Sequence, residues 1–112
     1  MAGSAWVVEV TADTFQQEVV EKSHEVPVVV DFWAPWCGPC RAMAPAYEQA
    51  AGLLEPGVRL AKLNTEDVPE IAARFGIRSI PTLILFRGGR EISRQSGALP
   101  LPLLTSWIRS AV

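Results

Sequence analysis

Several residue types are scarce in this chain of 112 residues. It has one histidine and two cysteines, whereas a structural zinc site takes four Cys or His ligands, so we predict no metal site. The formal net charge of −2 gives no reason to expect nucleic acid or an anionic membrane as a partner. No apolar run approaches the length of a membrane span. These absences argue against the zinc-binding, nucleic-acid-binding and membrane-spanning classes.

The first ten residues, MAGSAWVVEV, contain no basic segment and no long apolar stretch. A secretory signal peptide needs both, so we expect none and predict a cytoplasmic location. The hydrophobic fraction of 49% and the charged fraction of 20% are those of an ordinary globular protein. At this length, residues 1–112 are expected to form one domain.

The most informative part of the chain is the stretch 28–41, VVVDFWAPWCGPCR. Its apolar first half predicts a strand buried on both faces. After Pro39, apolar residues recur at spacings of three and four, which predicts a helix with one buried face. The residues of that face are Cys40, Met43, Tyr47, Ala50 and Leu54. Cys37 is therefore expected where a buried strand gives way to the first turn of a helix.

The position of Cys37 predicts a reactive thiolate in a Cys-x-x-Cys redox motif. The first N–H groups of a helix have no partner within it, and the helix dipole favours negative charge there, which lowers the pKa of a thiol. We therefore expect Cys37 to face outward as the attacking nucleophile and Cys40 to face inward as the resolving residue. A merely structural bridge across so short a loop would stabilise the fold by only about 2 kcal/mol, and it would not persist in a reducing cytosol.

The rest of the chain alternates strands with helices. We predict strands over 5–10, 26–33, 58–64, 82–86 and 91–96, and helices over about 13–22, 37–54, 68–75 and from 100 onward. Thr11 or Asp13 is expected to cap the first helix, and Asp67 with Glu70 to form a capping box at the third. This order predicts an α/β fold with a central mixed sheet of five strands and helices on both faces.

Asp31 is an unusual residue for the predicted central strand, where it shares a face with Val29 and Trp33. Either face should be covered, so we expect this carboxyl to be desolvated and its pKa raised. Two interpretations stay open. Asp31 is either a structural aspartate bonded to the backbone, because buried carboxylates are normally paired, or a functional proton acceptor.

The aromatic residues outside this strand are interpreted from their surroundings. Trp6 and Trp107 are expected in the core, whereas Trp36, directly before Cys37, is expected to be exposed. His24 is expected on the surface at a helix end.

The CGPC motif and its surroundings resemble the thioredoxin family over nearly the whole chain. The residues that carry the resemblance are Asp31-Phe32-Trp33-Ala34-Pro35-Trp36-Cys37-Gly38-Pro39-Cys40, Pro45, Ala61-Lys62-Leu63-Asn64, Phe75-Gly76-Ile77-Arg78, Ile80-Pro81-Thr82, Gly89 and Gly97-Ala98. The segment 60–92 looks most like the thioredoxin-2 type, whose members carry an additional cysteine-rich zinc segment at the N-terminus. We expect that segment to be absent here. The resemblance implies the thioredoxin fold, a five-stranded sheet flanked by four helices, and a monomer.

The resemblance also implies roles for the residues of the redox site. Cys37 would attack a client disulfide, Cys40 would resolve the mixed disulfide, and Asp31 would accept the proton of Cys40. The residues that tune the redox pair would be Gly38, Pro39 and Lys62. For Lys62 a plain surface position is the alternative, since lysine is seldom fully buried.

A docking surface for clients is implied beside the cysteines. The Ile80–Pro81 bond would be cis and would leave the Ile80 backbone free to pair with an extended client segment, a form of strand addition. The substrate-binding residues would be Trp36, Ile80, Pro81, Gly97 and Ala98.

The function implied by the resemblance is that of a protein-disulfide reductase without a bound cofactor. Its partners would be disulfide-containing client proteins and a thioredoxin reductase, which would recharge it with NADPH through FAD. Two alternatives stay open. One is an oxidase or disulfide isomerase of the same fold, although those proteins usually carry a histidine where this chain has Gly38-Pro39. The other is a binding subunit in which the cysteines are incidental.

Overall fold

Five strands form one mixed sheet in the computed structural model, which describes residues 6–112. The strands are β1 (Val7–Val10), β2 (Val28–Trp33), β3 (Arg59–Asn64), β4 (Thr82–Arg87) and β5 (Arg90–Ser96). Their spatial order is β1-β3-β2-β4-β5. β3 runs parallel to both β1 and β2, and β4 runs antiparallel to both β2 and β5. The predicted sheet is confirmed, and Ala5, expected to open the first strand, lies outside the described residues.

Four helices cover the sheet within the described part of the chain. The first, α1, has π-helical geometry over Gln16–Glu21 and continues as a 3₁₀ turn over Lys22–His24. The others are α2 (Gly38–Leu54), α3 (Pro69–Arg74) and α4 (Leu101–Ala111). The predicted number of helices is therefore confirmed. No helix in residues 6–112 is both long and apolar enough to cross a membrane.

The strands alternate between two apolar layers, because successive side chains of a strand point to opposite faces. Val28, Val30 and Phe32 of β2 pack in one core with α1 and α3. Val29 packs in a second core with Met43 and Tyr47 of α2 and with α4. The face of β2 that carries Asp31 is thus the face that α2 covers.

The predicted helix caps are wrong. The N-cap residues of α1 and α3 are Phe15 and Val68, and neither makes a side-chain capping bond. Before α1, the N–H of Thr11 donates to Oγ1 of Thr14 at 2.9 Å, so the threonines form a turn of their own. At α3, the N–H of Asp67, which Glu70 would bond in a capping box, donates instead to the carbonyl of Asn64 at 3.1 Å.

Three predictions about exposure can be compared with the structure. His24 is exposed at the end of the 3₁₀ turn, as predicted. Trp107 is half-buried and packs against the core beneath α4. Trp6 is 48% exposed, so its expected core position is wrong. Its indole lies over Gly52, where an added Cβ would come within 3.4 Å of Nε1.

Candidate functional site

Cys37 lies at the junction between β2 and α2, as predicted. It is the N-cap residue of α2, with an extended backbone (φ −85°, ψ 111°). Its Sγ accepts a hydrogen bond from the N–H of Cys40 at 3.2 Å. Pro39 lies in the first turn and has no N–H that would need a partner. The sulfur therefore occupies the place of a capping oxygen, where the helix dipole favours negative charge.

Cys37 and Cys40 form a disulfide, with their Cα atoms 5.3 Å apart. The expected outward position of Cys37 is wrong for this oxidised form, because the residue is only 5% exposed and Cys40 is 3% exposed. The reason is the capping geometry, which turns Sγ back over the helix. There the disulfide packs against Ala34, Trp33 and Ile80. The disulfide nevertheless lies close to the surface, because the residues on either side of Cys37 are exposed.

The loop before β4 lies against the disulfide. Sγ of Cys37 is 3.8 Å from the carbonyl oxygen of Ile80; a disulfide sulfur has no hydrogen to donate, so only the reduced thiol could turn this contact into a hydrogen bond. The Ile80–Pro81 bond is cis, as expected. The carbonyl of Pro81 accepts a hydrogen bond from the N–H of Gly97 at 2.9 Å. Ala98 follows as an exposed residue.

A cavity of about 190 Å³ opens next to this loop, and we call it the Trp36 groove. Its lining residues are Trp36, Thr65, Ala72, Ile77, Arg78, Ser79 and Ile80. Trp36 is 65% exposed, as predicted, and its Nε1 donates to Oε2 of Glu66 at 2.8 Å. Of the five predicted substrate-binding residues, only Trp36 and Ile80 line this groove. Pro81 and Gly97 are held beside it by their mutual hydrogen bond.

A second cavity, of about 120 Å³, touches Cys40, and we call it the Asp31 cavity. Its lining residues are Asp31, Trp33, Cys40, Arg41, Ala44, Tyr47, Glu48 and Lys62. The Asp31 side chain is buried, and its Oδ1 has no hydrogen-bond partner among the described residues. Burial raises the pKa of Asp31 to about 7, and the nearby charge of Lys62 opposes that rise. The structure thus brings a proton-binding carboxyl and the second cysteine to one cavity.

Lys62, which the resemblance implied as a residue that tunes the redox pair, lies beside Asp31 in the sheet. The two residues are direct neighbours in the register of β2 and β3. Lys62 is half-buried, and its Nζ lies 4.3 Å from the centre of the Trp33 ring. The ion pairs found in residues 6–112 do not join it to Asp31. Lys62 is therefore neither a fully exposed surface lysine nor an ion-pair partner of the Asp31 carboxylate.

Tyr47, Glu48 and Arg41 belong to the Asp31 cavity but were not predicted as site residues. The Tyr47 hydroxyl donates to the carbonyl of Ala61 at 2.6 Å and lies 3.2 Å from that of Val29. Burial, and next the charge of Asp31, raise the pKa of Tyr47 well above its usual value. A signal for Tyr47 and Glu48 exists in the sequence, because they stand seven and eight positions after Cys40 and so fall on the same side of a helix. The same periodicity is typical of any buried helix face, so it does not by itself indicate a site.

The described residues contain no group of three or more His, Cys, Asp or Glu side chains that could hold a metal ion. The site instead combines a disulfide with a buried carboxyl in one cavity. This arrangement can support thiol–disulfide exchange, in which a thiolate attacks one sulfur of a disulfide and a neighbouring group accepts or donates a proton.

Comparisons with known proteins agree with this chemistry. A family model described as Thioredoxin matches residues 6–110. The chain is 47% identical to thioredoxin 1 of Nostoc sp. over 97 residues, which are 87% of this chain and 89% of that protein. It is 44% identical to the thioredoxin of Pyropia yezoensis over 106 residues, 95% of this chain and 97% of that one. It is 50% identical to a chloroplastic M-type thioredoxin of Chlamydomonas reinhardtii over 91 residues, 81% of this chain and 64% of that protein. The narrower resemblance to the thioredoxin-2 type stays a prediction.

Proposed function

Because this chain belongs to the thioredoxin family, we propose that it is a protein-disulfide reductase that acts on client proteins. As a family member it is a thiol–disulfide oxidoreductase, and its redox group is the Cys37–Cys40 disulfide. The observation that carries the proposal is the position of Cys37 Sγ, which accepts the Cys40 N–H at the N-terminus of α2. In the reduced protein the same N–H and the helix dipole stabilise a thiolate at this position.

The proposed reaction consists of two exchanges. The Cys37 thiolate attacks one sulfur of the client disulfide, so a mixed disulfide forms and the first client thiolate leaves. Cys40, as a thiolate, then attacks Sγ of Cys37, so the Cys37–Cys40 bond forms and the second client thiolate leaves. The client gains two electrons and the protein loses two. The short Cys37–Cys40 separation, 5.3 Å between Cα atoms, supports the second exchange.

Asp31 is proposed as the proton acceptor for Cys40. A group whose pKa is about 7 is matched to proton transfer near neutral pH, and Asp31 and Cys40 line the same cavity. Lys62 is proposed to tune this carboxyl by its positive charge. Gly38 and Pro39 are proposed to tune the sulfur pair through the helix turn that they form.

Clients are proposed to dock along the Trp36 groove and the loop beside it. An extended client segment would pair with the backbone of Ile80, whose carbonyl lies 3.8 Å from the sulfur of Cys37. The exposed indole of Trp36 would cover one side of the segment, and Pro81, Gly97 and Ala98 would form the other side.

For recharging, we propose a thioredoxin reductase that uses NADPH through FAD. We further propose that the chain acts as a monomer and a single domain, in the cytoplasm and without nucleic acid or membrane as a partner. Some of its relatives are cyanobacterial or chloroplastic, so a plastid is the alternative location to the cytoplasm.

Turnover of insulin with NADPH and a purified thioredoxin reductase tests the proposal. The wild-type protein should reduce the insulin disulfides. The double variant Cys37→Ser, Cys40→Ser should be inactive, although its circular dichroism spectrum should show that it is folded. A wild-type protein that does not reduce insulin with either this enzyme or dithiothreitol as the reductant would overturn the proposal. A potential measured well above that of the glutathione pool would favour an oxidase instead.

A further inference from the structure

The proposed cycle requires a proton to pass through Asp31 in each turnover, yet this side chain is only 4% exposed. We propose that Glu48 relays this proton between Asp31 and the solvent through the Asp31 cavity. The inference rests on the proposed function, because it concerns the proton that Cys40 releases before it attacks.

The cavity offers a route for the proton. Its volume of about 120 Å³ is enough for a few water molecules, each of which takes about 30 Å³ in the liquid. Oδ1 of Asp31 has no partner among the described residues, so it is available to bond such a water. Glu48 lies on the same wall of α2 as Cys40, two helical turns further along. It is half-buried, so it faces both the cavity and the solvent.

The other charged or titratable groups of the cavity cannot accept this proton. Arg41 and Lys62 are cations whose side chains are donors without an acceptor site, and Nη1 of Arg41 donates to the Pro35 carbonyl at 2.9 Å. The Tyr47 hydroxyl is bonded to a backbone carbonyl. This leaves Glu48.

The carboxylate of Glu48 is free for this role. No side-chain hydrogen bond or ion pair to it is found within residues 6–112, although ion pairs hold Glu18, Glu25 and Glu91 elsewhere. An unpaired carboxylate at the rim of a cavity can bind a water from the inside and exchange a proton with the solvent outside.

The Cys40 thiol gives its proton to the Asp31 carboxylate, and the Cys40 thiolate then attacks Sγ of Cys37. The protonated Asp31 passes the proton through water to the Glu48 carboxylate, and Glu48 releases it to the solvent. Electrons move only between the cysteines and the client disulfide.

The test follows the reduced protein as it reacts with a coloured aromatic disulfide in weak buffer. The first burst of colour reports attack by Cys37, and the second reports resolution by Cys40. In Glu48→Gln the second phase should slow by about tenfold. This is less than the 10²–10⁴-fold that a direct general base contributes, because Glu48 acts on Cys40 only through Asp31. The first phase should not change. Imidazole added as a small proton carrier should restore the second phase, and so should the conservative variant Glu48→Asp.

The pH profile separates a relay from a simple effect of charge. The causes that shift the pKa of Asp31 are burial and the charge of Lys62. In Glu48→Gln the rate of the second phase should therefore keep a pH profile whose midpoint lies near neutral pH. Glu70→Gln, at an exposed position of α3, removes the same charge and should react like the wild type. An unchanged second phase in Glu48→Gln would overturn the proposal, and so would a shifted midpoint without rescue by imidazole. Absence of a second phase in the wild type would instead overturn the proposed function.

Discussion

Replacing Asp31 by alanine should raise the free energy of unfolding of the oxidised protein, by an amount that grows with pH. The ordinary pKa of an aspartate is 3.8, and burial raises the pKa of Asp31 in the fold to about 7. Between these two values the folded protein binds a proton that the unfolded chain has lost. The stability of the wild type therefore falls as the pH rises through this window, and it levels off above pH 7.

The magnitude follows from the two pKa values. A rise from 3.8 to about 7, at 1.36 kcal/mol per pKa unit, corresponds to about 4 kcal/mol. Below the ordinary pKa the carboxyl is protonated in both states, so Asp31 makes no pH-dependent contribution there. The side chain is buried, so solvent screening does not reduce this figure in the way it does for surface charges.

Urea unfolding of the oxidised proteins, followed by circular dichroism, measures the effect. The stability difference between Asp31→Ala and the wild type should increase by about 4 kcal/mol from about pH 4 to about pH 8. Comparing two pH values cancels the loss of packing that alanine causes, because that loss does not depend on pH. Asp67→Asn, at an exposed site, is the matched control and should show no such trend. A difference that stays constant with pH would refute the reasoning.

Two further predictions concern stability and use the same unfolding assay. Tyr47→Phe removes the hydrogen bond to the Ala61 carbonyl and should lower the free energy of unfolding by about 1 kcal/mol. An unchanged urea midpoint would contradict this. Gly89→Ala should cost about 1–2 kcal/mol, because Gly89 has φ +82° and an added Cβ would lie 3.0 Å from Nε2 of His24. Gly38→Ala, with nothing within 4 Å of the added Cβ, should stay within about 0.5 kcal/mol of the wild type, so equal losses at both glycines would contradict the argument.

The fold could be predicted because hydrophobic periodicity determines which face of each element is covered. The stripe that begins at Cys40 predicted α2, and the apolar run before Asp31 predicted the buried central strand. Gly88-Gly89, between the predicted strands 82–86 and 91–96, is a typical hairpin-turn sequence, and both glycines have positive φ. These signals are local, so they can be read from the sequence without knowledge of which elements meet.

Most of the errors arose where the outcome depends on contacts between distant segments. Cys37 is buried both by its capping position and by Ile80, which packs against the disulfide from 43 residues further along the chain. Trp6 was expected in the core because of its residue type, whereas its position beside the edge strand β1 leaves it half-exposed. The capping box at Asp67 and Glu70 is a local error, because the N–H of Asp67 already donates to the carbonyl of Asn64. Glu48 was missed because its proposed role depends on the cavity that it shares with Asp31.

The two interpretations of Asp31 can now be weighed against each other. A structural aspartate would have its oxygens bonded to backbone or side chains, because an unpaired buried polar group costs stability. Oδ1 of Asp31 instead has no partner among residues 6–112. The same apolar layer that holds α2 and the cysteines against β2 desolvates this carboxyl, so the residue destabilises the fold by several kcal/mol above neutral pH. Hydrophobic side chains would fill the position at a lower cost, and this cost supports a role in proton transfer beside Cys40.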